Sequence, residues 1–388
     1  MGFRTGFELK RDKRGYQNET KNSTRCRLEC RRLVSRPSGV LEARLGASTK
    51  CIVSRQRRPV SQIDKENRQS YNEMECRTKG IKMKQIIQSL HTGTDAGKGF
   101  LLRQVKDQLQ SKIRAKQELS PLETDLWDLI NFEELSQNDR LALEQRLTKV
   151  SILSNGMINP KTAKDAGLGD VSNWILHLSP SDLSGVNICP NASAGCRAAC
   201  LNGAGRGLFD GVQMPRLRKT LYFLKFRQTF LTRLSREIGK ICAKTSNRVI
   251  VRLNGTSDLA WELFKVGDTG KNIFELYPNV TFYDYTKVFK RLERIVSIPN
   301  YHVTFSASES NWDDCLKALN LGVNVATVFR TSALPETYQG FKVIDGDKHD
   351  FRFLDARETV GLIVGLKAKG IAKRDTSGFV RDVGTVVH

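Results

Sequence analysis

The sequence has no long apolar run. No segment approaches the roughly 20 consecutive apolar residues that a membrane-spanning helix needs, and the first residues do not resemble a secretory signal. We therefore expect a cytoplasmic protein without a membrane partner. Disulfide frameworks are rare in that reducing compartment, so the cysteines are expected to be free thiols or metal ligands.

The chain is also poor in acidic residues relative to basic ones. It contains 63 Lys and Arg against 41 Asp and Glu, which gives a formal net charge of +22. Residues 1–82 hold 21 of the basic and 9 of the acidic residues, while residues 83–388 remain basic. This charge favours a polyanionic partner such as DNA or RNA.

Residues 1–82 show little apolar periodicity, and we predict that they are a disordered basic leader outside the fold. Residues 79–83 can be back-translated as a purine-rich ribosome-binding sequence followed by a start codon. We therefore expect a mis-assigned start, with Met83 as the natural first residue. The alternative is a genuine basic tail that binds nucleic acid by neutralising phosphates.

Residues 83–150 show apolar side chains at spacings of three and four, which predict helices. Ser120 followed by Pro121 and Glu123 is typical of a helix start, and a further helix is expected near residues 138–147. We predict that this segment is a helical N-terminal extension that packs onto the main domain.

From residue 170 onwards, short apolar runs alternate with longer amphipathic ones, which indicates parallel strands joined by helices. Polar residues follow each run, and the carboxyl ends of barrel strands converge on one face. We therefore favour a partial (β/α)6 TIM-like barrel over residues 170–388 rather than a doubly wound sheet. Strands are expected at 174–178, 249–253, 280–283, 302–305, 323–329, 342–344 and 360–364, and helices at 215–243, 261–266, 287–295 and 311–319.

Three cysteines lie close together after the first predicted strand. Cys189, Cys196 and Cys200 have the spacing C-x6-C-x3-C, and three thiolates on one loop can bind three irons of a cluster while the fourth iron stays open. Zinc is the alternative, but a structural zinc site normally takes four ligands, often as C-x2-C pairs, and the sequence has no such pair. Ordinary buried thiols are the third interpretation. The candidate fourth zinc ligands are His177, Cys242 and Cys315.

Acidic residues follow several predicted strands and are candidates for proton transfer or for binding a cofactor hydroxyl. Helix capping is the simpler interpretation for part of this pattern, since Ser257 and Asp258 are expected to begin one helix and Thr286 to cap another that starts at Lys287. The acids are Asp258, Asp284, Glu309, Asp345, Asp347 and Asp355.

Two further motifs have both a functional and a simpler interpretation. The glycine-rich run at 202–207 is either an anion cradle or a flexible loop. The predicted helix at 215–243 has a basic face with interleaved aromatics, which fits nucleic-acid contact or a solvated face beside a core stripe. The residues of that face are Arg216, Arg218, Lys219, Lys225, Arg227 and Arg233, with Tyr222, Phe223 and Phe226 between them.

The chain from Ser179 onwards resembles the phage gene-product-88 family, and through several of the same motifs it is similar to the three-Cys-motif phage proteins. Those proteins in turn resemble radical S-adenosylmethionine enzymes. The motifs are Leu-Ser-Gly at 183–185, Cys-Pro-Asn-Ala-Ser-Ala-Gly-Cys at 189–196, Gly-Arg-Gly at 205–207, Ser-Asp-Leu at 257–259, Phe-Tyr-Asp-Tyr-Thr-Lys at 282–287 and Thr-Phe-Ser at 304–306.

This resemblance implies a [4Fe-4S] cluster held by the three cysteines, S-adenosylmethionine as cofactor and a reductant protein as partner. Two features depart from the usual pattern, because the C-x3-C-x2-C spacing and a Gly-Gly-Glu after the second strand are absent. Cluster binding therefore has more support than radical chemistry. The implied catalytic residues are Asp258, Lys287 and Glu309, and the implied cofactor-binding residues are Ser257, Asp258, Thr286, Ser306 and Ser308.

The leading functional hypothesis is an iron-sulfur enzyme, similar to radical S-adenosylmethionine enzymes, that modifies nucleic acid or a nucleotide. The first alternative is a zinc-containing transglycosylase-like barrel acting on nucleic-acid bases, with Asp258 or Asp284 as nucleophile or base. The second is a non-catalytic nucleic-acid-binding protein in which the cysteines hold a structural metal loop.

Overall fold

A computed structural model describes residues 98–158, 170–203 and 205–383, so the predicted leader at 1–82 lies outside the described residues. No helix in these ranges is both long and apolar enough to cross a membrane. The helices are α1 (Phe100–Arg114), α2 (Pro121–Ile130), α3 (Gln137–Leu147), α4 (Ala194–Ala198), α5 (Asp210–Lys225), α6 (Arg227–Lys244), α7 (Ile273–Leu276), α8 (Leu292–Ile295) and α9 (Trp312–Asn320). The strands are β1 (Ser154–Asn155), β2 (Val171–Ile175), β3 (Arg248–Arg252), β4 (Thr281–Thr286), β5 (Tyr301–Ser306), β6 (Val325–Arg330), β7 (Thr337–Tyr338), β8 (Phe341–Asp345), β9 (Ile363–Lys367) and β10 (Val380–Asp382).

The strands form one mixed sheet in the order β1-β2-β3-β4-β5-β6-β9-β8-β7, and β10 also pairs with β6. Strands β2 to β6, β9 and β8 run parallel, whereas β1 and β7 are short antiparallel additions at the two ends. Each strand from β2 to β6 lies beside the next one in sequence, so this half of the sheet has no point at which the winding reverses. The predicted α/β class is confirmed, and each predicted strand overlaps an observed one, although β2 begins three residues before the predicted 174–178 and β9 three residues after the start of the predicted 360–364. The sheet is open, and closure into a barrel stays a prediction.

Strand β10 fills a gap between β5 and β6. Strand β5 pairs with β6 only at the start of β6, at Val325 and Ala326. Further along, Val328 pairs with Leu366 of β9 on one edge and with Val380 of β10 on the other. Strand β10, the last described strand, therefore pairs with the part of this β6 edge that β5 does not cover. That part lies at the carboxyl ends of the parallel strands.

The predicted helix at 215–243 is two helices, which corrects the sequence-based expectation. Phe226 separates α5 from α6 with φ −129° and ψ 57°. Its ring packs edge-on against Phe132, with the centroids 5.2 Å apart. The helix therefore breaks at a residue that contacts a distant part of the chain. The apolar periodicity of the sequence gives no sign of this break.

The helical segment α1 to α3 shares one apolar core with the sheet domain. Leu101, Val105 and Leu109 of α1 are fully buried, and Ser120 caps α2 together with Glu123, as the sequence predicts. The apolar faces of α2 and α3 contribute to the same core through Leu126 and Leu143, among others. Packing onto the main domain therefore accounts for the apolar pattern of these helices.

The basic face of α5 and α6 makes contacts inside the protein. Arg218 Nη1 is 3.1 Å from Asp125 Oδ2 of α2, and Lys225 Nζ is 2.6 Å from Glu133 Oε1. Lys219 is buried and donates to the Ile152 carbonyl at 3.2 Å. Tyr222 and Phe223, interleaved with these cations, are also buried. These side chains hold the helical segment against the sheet domain, which favours the packing interpretation of the basic face.

Glu237 of α6 binds the segment that leads from α3 towards β1. Its buried carboxylate accepts hydrogen bonds from Ser151 Oγ at 2.8 Å, Ile152 N at 2.9 Å and Leu153 N at 3.2 Å. The two backbone N–H groups are buried and have this side chain as their acceptor. A buried donor that loses its acceptor costs the full free energy of its desolvation.

We expect Glu237→Ala to lower the free energy of unfolding by about 2–4 kcal/mol, because it leaves both backbone donors without that acceptor. Urea unfolding followed by circular dichroism measures the change. Lys240→Ala, an exposed change on the same helix, should leave the midpoint almost unaltered. Equal midpoints for the two variants would show that Glu237 does not hold this segment.

Candidate functional site

The cysteine loop, residues 189–200, begins after β2 and contains the short helix α4. Ser193 caps this helix, and its Oγ accepts a hydrogen bond from Cys196 N at 3.2 Å. Cys189 precedes the helix, Cys196 lies within it, and Cys200 follows its C-cap residue Ala199. The capped turn brings Cys196 and Cys200 to one side of the loop.

All three cysteines line one cavity of about 500 Å³ at the carboxyl ends of the parallel strands. The wall formed by the sheet contains one or more residues from each of five strands: Arg252 of β3, Tyr285 of β4, Ser306 of β5, Ala326 and Val328 of β6, and Leu366 of β9. Of the remaining sequence-predicted site residues, Ser257, Asp258, Thr286 and Lys287 also line the cavity, whereas Ser308 and Glu309 lie outside its wall.

The three cysteines are half-buried, and their thiols lie near enough to influence one another's pKa. Burial raises the pKa of Cys189 far above its usual value, and the neighbouring Cys200 and Cys196 act in the same direction. Burial and Cys196 likewise raise the pKa of Cys200 to about 11, although Arg216 and Lys287 partly oppose the shift. At neutral pH the metal-free Cys189 and Cys200 are therefore thiols, and metal binding would have to displace their protons.

The donor arrangement bears on which metal group could fit. In residues 98–158, 170–203 and 205–383, no group of three or more His, Cys, Asp or Glu side chains is placed to hold a single metal ion. A mononuclear zinc site needs thiolates that converge on one ion at about 2.3 Å. In a cluster each thiolate binds a different iron, and the structure places all three cysteines along one cavity.

Asp258 connects the cysteine loop to the ends of two strands. Its carboxylate accepts hydrogen bonds from Thr286 Oγ1 at 2.8 Å, Lys287 N at 2.8 Å and the buried Arg291 Nη1 at 2.7 Å. Its backbone N–H donates to the carbonyl of Ile188, the residue before Cys189, at 3.0 Å. Both carboxylate oxygens are occupied, and this arrangement favours a structural role over proton transfer.

The helix predicted to start at Ser257 and Asp258 is absent, which corrects that expectation. The side-chain oxygen of Asn254 instead accepts from Ser257 Oγ, Leu259 N and Trp261 Nε1 at 2.9–3.0 Å. A compact turn therefore follows β3, and the next regular element is a single 3-10 turn at Trp261–Leu263.

Lys287 and Ser306 face the cavity from adjacent strand ends. Lys287 Nζ donates to Ser306 Oγ at 2.6 Å and lies 5.5 Å from the ring centroid of Phe379. Its carbonyl accepts from Asn191 Nδ2 in the cysteine loop at 3.1 Å. Thr286 accepts from Val288 N at 3.1 Å. The predicted cap of a helix starting at Lys287 is nevertheless wrong, because the first turn is a 3-10 helix at Phe289–Arg291 whose N-cap is Val288 and which has no side-chain cap. The hydroxyl of Ser306 is neutral, and among the residues that the structure describes no carboxylate forms an ion pair with the Lys287 ammonium.

Family membership follows from the sequence that surrounds this site. The family model for gene product 88 matches residues 145–383, which include the cysteine loop, the parallel strands and β10. The chain belongs to the gene product 88 family. No curated protein and no solved structure matches the chain.

In this family member, the side chains that the sequence suggested as a fourth zinc ligand lie away from the cavity. His177, Cys242 and Cys315 do not line the cavity. Cys315 is buried in α9, where its thiol contacts Asn311 Oδ1 at 3.6 Å. Burial and nearby cations, Arg216 first, lower the pKa of His177 to about 3, so its ring is neutral at physiological pH.

Several cavity residues of this gene product 88 protein were not predicted. Arg252 Nη1 pairs with Asp350 Oδ2 at 3.2 Å, and the guanidinium lies 4.8 Å from the ring centroid of Tyr285. Phe379 comes from the loop before β10. The alternation of side chains between the two faces of β3 and β4 could have identified Arg252 and Tyr285 as cavity residues. No local sequence pattern identifies Phe379.

Asp284, a predicted base, lies behind the cavity wall and is completely buried. It accepts from Asn254 N at 2.7 Å and Tyr301 Oη at 3.2 Å. Burial raises its pKa to about 7, although Arg252 and these hydrogen bonds oppose the shift. The folded protein therefore binds this proton more tightly than the unfolded chain does.

We expect the free energy of unfolding to fall as the pH rises from about 4 to about 7, since deprotonation of Asp284 is harder in the folded state. Asp284→Asn keeps an acceptor oxygen and should remove this contribution, which amounts to up to about 4 kcal/mol across the interval. Urea unfolding at several pH values measures it. Asp268→Asn, at an exposed acid, is the control, and parallel slopes for the two variants would contradict the expectation.

Proposed function

We propose that this protein binds an iron-sulfur cluster through Cys189, Cys196 and Cys200 and acts as an enzyme on a small anionic substrate in the adjoining cavity. The observation that carries the proposal is that all three thiols of one loop line the same cavity as the polar strand ends. A bound cluster held by three cysteines supplies one-electron chemistry and an iron with an open coordination position.

The surroundings of the thiols fit such a group. Lys287 and Arg216 favour the deprotonated form of Cys200, and positive charge of this kind stabilises thiolate ligands. Cys189 Sγ also accepts a hydrogen bond from Ser181 N at 3.2 Å. Hydrogen bonds to ligand sulfurs are one of the means by which proteins adjust cluster potentials.

The remainder of the cavity supports a small anionic substrate. The cavity as a whole, at about 500 Å³, lies within the range of about 300–1,000 Å³ that is typical of small-molecule sites. The cationic side chains in its lining are Arg197, Arg252, Lys287, Lys367 and Lys369, against the carboxylates Asp258, Asp347 and Asp350. The carboxylates are engaged by Arg291, Lys369 and Arg252 respectively. A phosphate or carboxylate of a nucleotide-sized molecule would complement Lys287.

Reductive cleavage of S-adenosylmethionine is the reaction class that we propose. A bound cluster and S-adenosylmethionine would supply one-electron cleavage of a sulfonium carbon–sulfur bond, with the electron coming from a reductant protein, and so the means to abstract a hydrogen atom from the substrate. The chain's own residues would bind the cofactor and substrate at the strand ends and exclude water from the cavity. Ser257, Thr286 and Ser306 offer hydroxyl or backbone groups there.

Both alternative functions have weaker support. The transglycosylase hypothesis needs a carboxylate free to attack or to take a proton, whereas Asp284 is completely buried and both oxygens of Asp258 already accept hydrogen bonds. The nucleic-acid-binding hypothesis relied on the basic face of α5 and α6, and several of those cations are engaged in internal contacts.

We expect anaerobically purified protein to be coloured and to contain iron and sulfide. Replacement of Cys189, Cys196 or Cys200 by Ala should abolish most of this content because each thiolate holds one iron. Iron and sulfide assays with absorption spectroscopy make the measurement. Cys242→Ala, at a half-buried cysteine outside the cavity, is the matched control. A colourless protein containing stoichiometric zinc would overturn the proposal.

We expect the reduced protein to convert S-adenosylmethionine into 5′-deoxyadenosine, measured by chromatography. Lys287→Met should retain its iron and slow this conversion by about ten-fold or more, since a charged hydrogen-bond donor is lost from the cavity. Lys290→Met, at an exposed lysine nearby, should behave like the unaltered protein. Iron without cleavage would restrict the cluster to electron transfer or a structural role.

A further inference from the structure

Glu309 contacts the cysteine loop from outside the cavity. Its Oε2 accepts a hydrogen bond from Ser193 Oγ at 2.6 Å, and its Oε1 accepts from Gly195 N at 2.7 Å. The same hydroxyl of Ser193 accepts from Cys196 N. One carboxylate, on the loop after β5, is therefore two hydrogen bonds away from the backbone of a cysteine.

The segment before β10 approaches the same helix at Gly195. A Cβ atom at this position would overlap Ser377 Oγ and lie 2.7 Å from Phe379 Cβ and 2.9 Å from Glu309 Oε2. Only glycine allows so close an approach without displacement of a neighbour. Glu309 and the segment at 377–379 thus enclose α4 together.

The C-terminal segment, residues 375–382, is itself firmly held. The Asp375 carboxylate accepts from Ser377 Oγ at 2.7 Å and from Val380 N at 2.9 Å. Arg381 Nη2 donates to the Ser308 carbonyl, next to Glu309, at 2.7 Å. The pairing of β10 with β6 fixes the other side. The enclosing residues therefore form one connected unit.

We propose that Glu309 is a positioning residue and that, with residues 377–379, it clamps α4 so that Cys196 and Cys200 are held at the cavity. This role replaces the catalytic one expected from the sequence, because the carboxylate is outside the cavity wall and both of its oxygens are used by the loop. The cluster part of the inference rests on the proposed function, whereas the clamp concerns the metal-free chain as well.

Thiol accessibility in the metal-free, reduced full-length protein tests the clamp directly. Glu309→Ala should increase the rates at which Cys196 and Cys200 react with an alkylating reagent by about ten-fold or more, because two charge-assisted hydrogen bonds are lost. Mass spectrometry of peptides resolves each cysteine, with the buried Cys315 as internal reference. Rates equal to those of the unaltered protein would overturn the proposal.

Two further variants separate local loosening from loss of the fold. Glu309→Gln keeps a carbonyl oxygen for Gly195 N–H and should give intermediate rates. Glu293→Ala, at an exposed acid of α8, should leave them unchanged. If Glu309→Ala also speeds alkylation of Cys315 and loses its circular dichroism, the Gln variant decides: selective loosening of Cys196 and Cys200 supports the clamp, and unchanged rates refute it.

Iron retention distinguishes the clamp from the proposed function. If the unaltered protein takes up iron, Glu309→Ala should release it to a chelator several-fold faster, and equal release rates would contradict a role in holding the cluster. If the unaltered protein takes up no iron, the proposed function fails, while the alkylation rates still decide whether Glu309 holds the loop.

Discussion

The carboxylate of Asp258 is the contact on which the rest of the site depends. It joins the carboxyl ends of β3 and β4 through Thr286 and Lys287, and its own backbone N–H holds Ile188 at the start of the cysteine loop. Arg291, buried and also paired with Glu262, compensates its charge from behind. Removal of this carboxylate would leave several buried donors unsatisfied at once.

Three cysteines that could each become a negatively charged thiolate line one cavity, and the groups around them influence whether they keep their protons. Burial alone disfavours thiolates, and Cys189 and Cys200 consequently keep their protons in the metal-free chain. Lys287 and Arg216 act in the opposite direction at Cys200. For the cluster proposed above, these cations would offset part of the cost of deprotonating the ligand thiols.

The sequence predicted the repeating elements better than the interactions between them. The strands could be found because apolar runs and polar strand ends recur along the chain, and the three cysteines because of their spacing. The role of Glu309 could not, since its partners Ser193 and Gly195 are more than a hundred residues away in sequence. The break at Phe226 likewise depends on a contact with Phe132, which local periodicity does not contain.

The cysteine loop is synthesised early, but residues in and just before β10, which pack against it, are synthesised much later. The cysteines at 189–200 leave the ribosome well before residues 375–382, yet those later residues close on Gly195 and occupy the edge of β6 that β5 leaves. In a nascent chain the loop therefore lacks its contacts with residues 377–379 until β10 has been synthesised and has paired with β6. A chain truncated before β10 would keep the three cysteines but lose the segment that packs on Gly195.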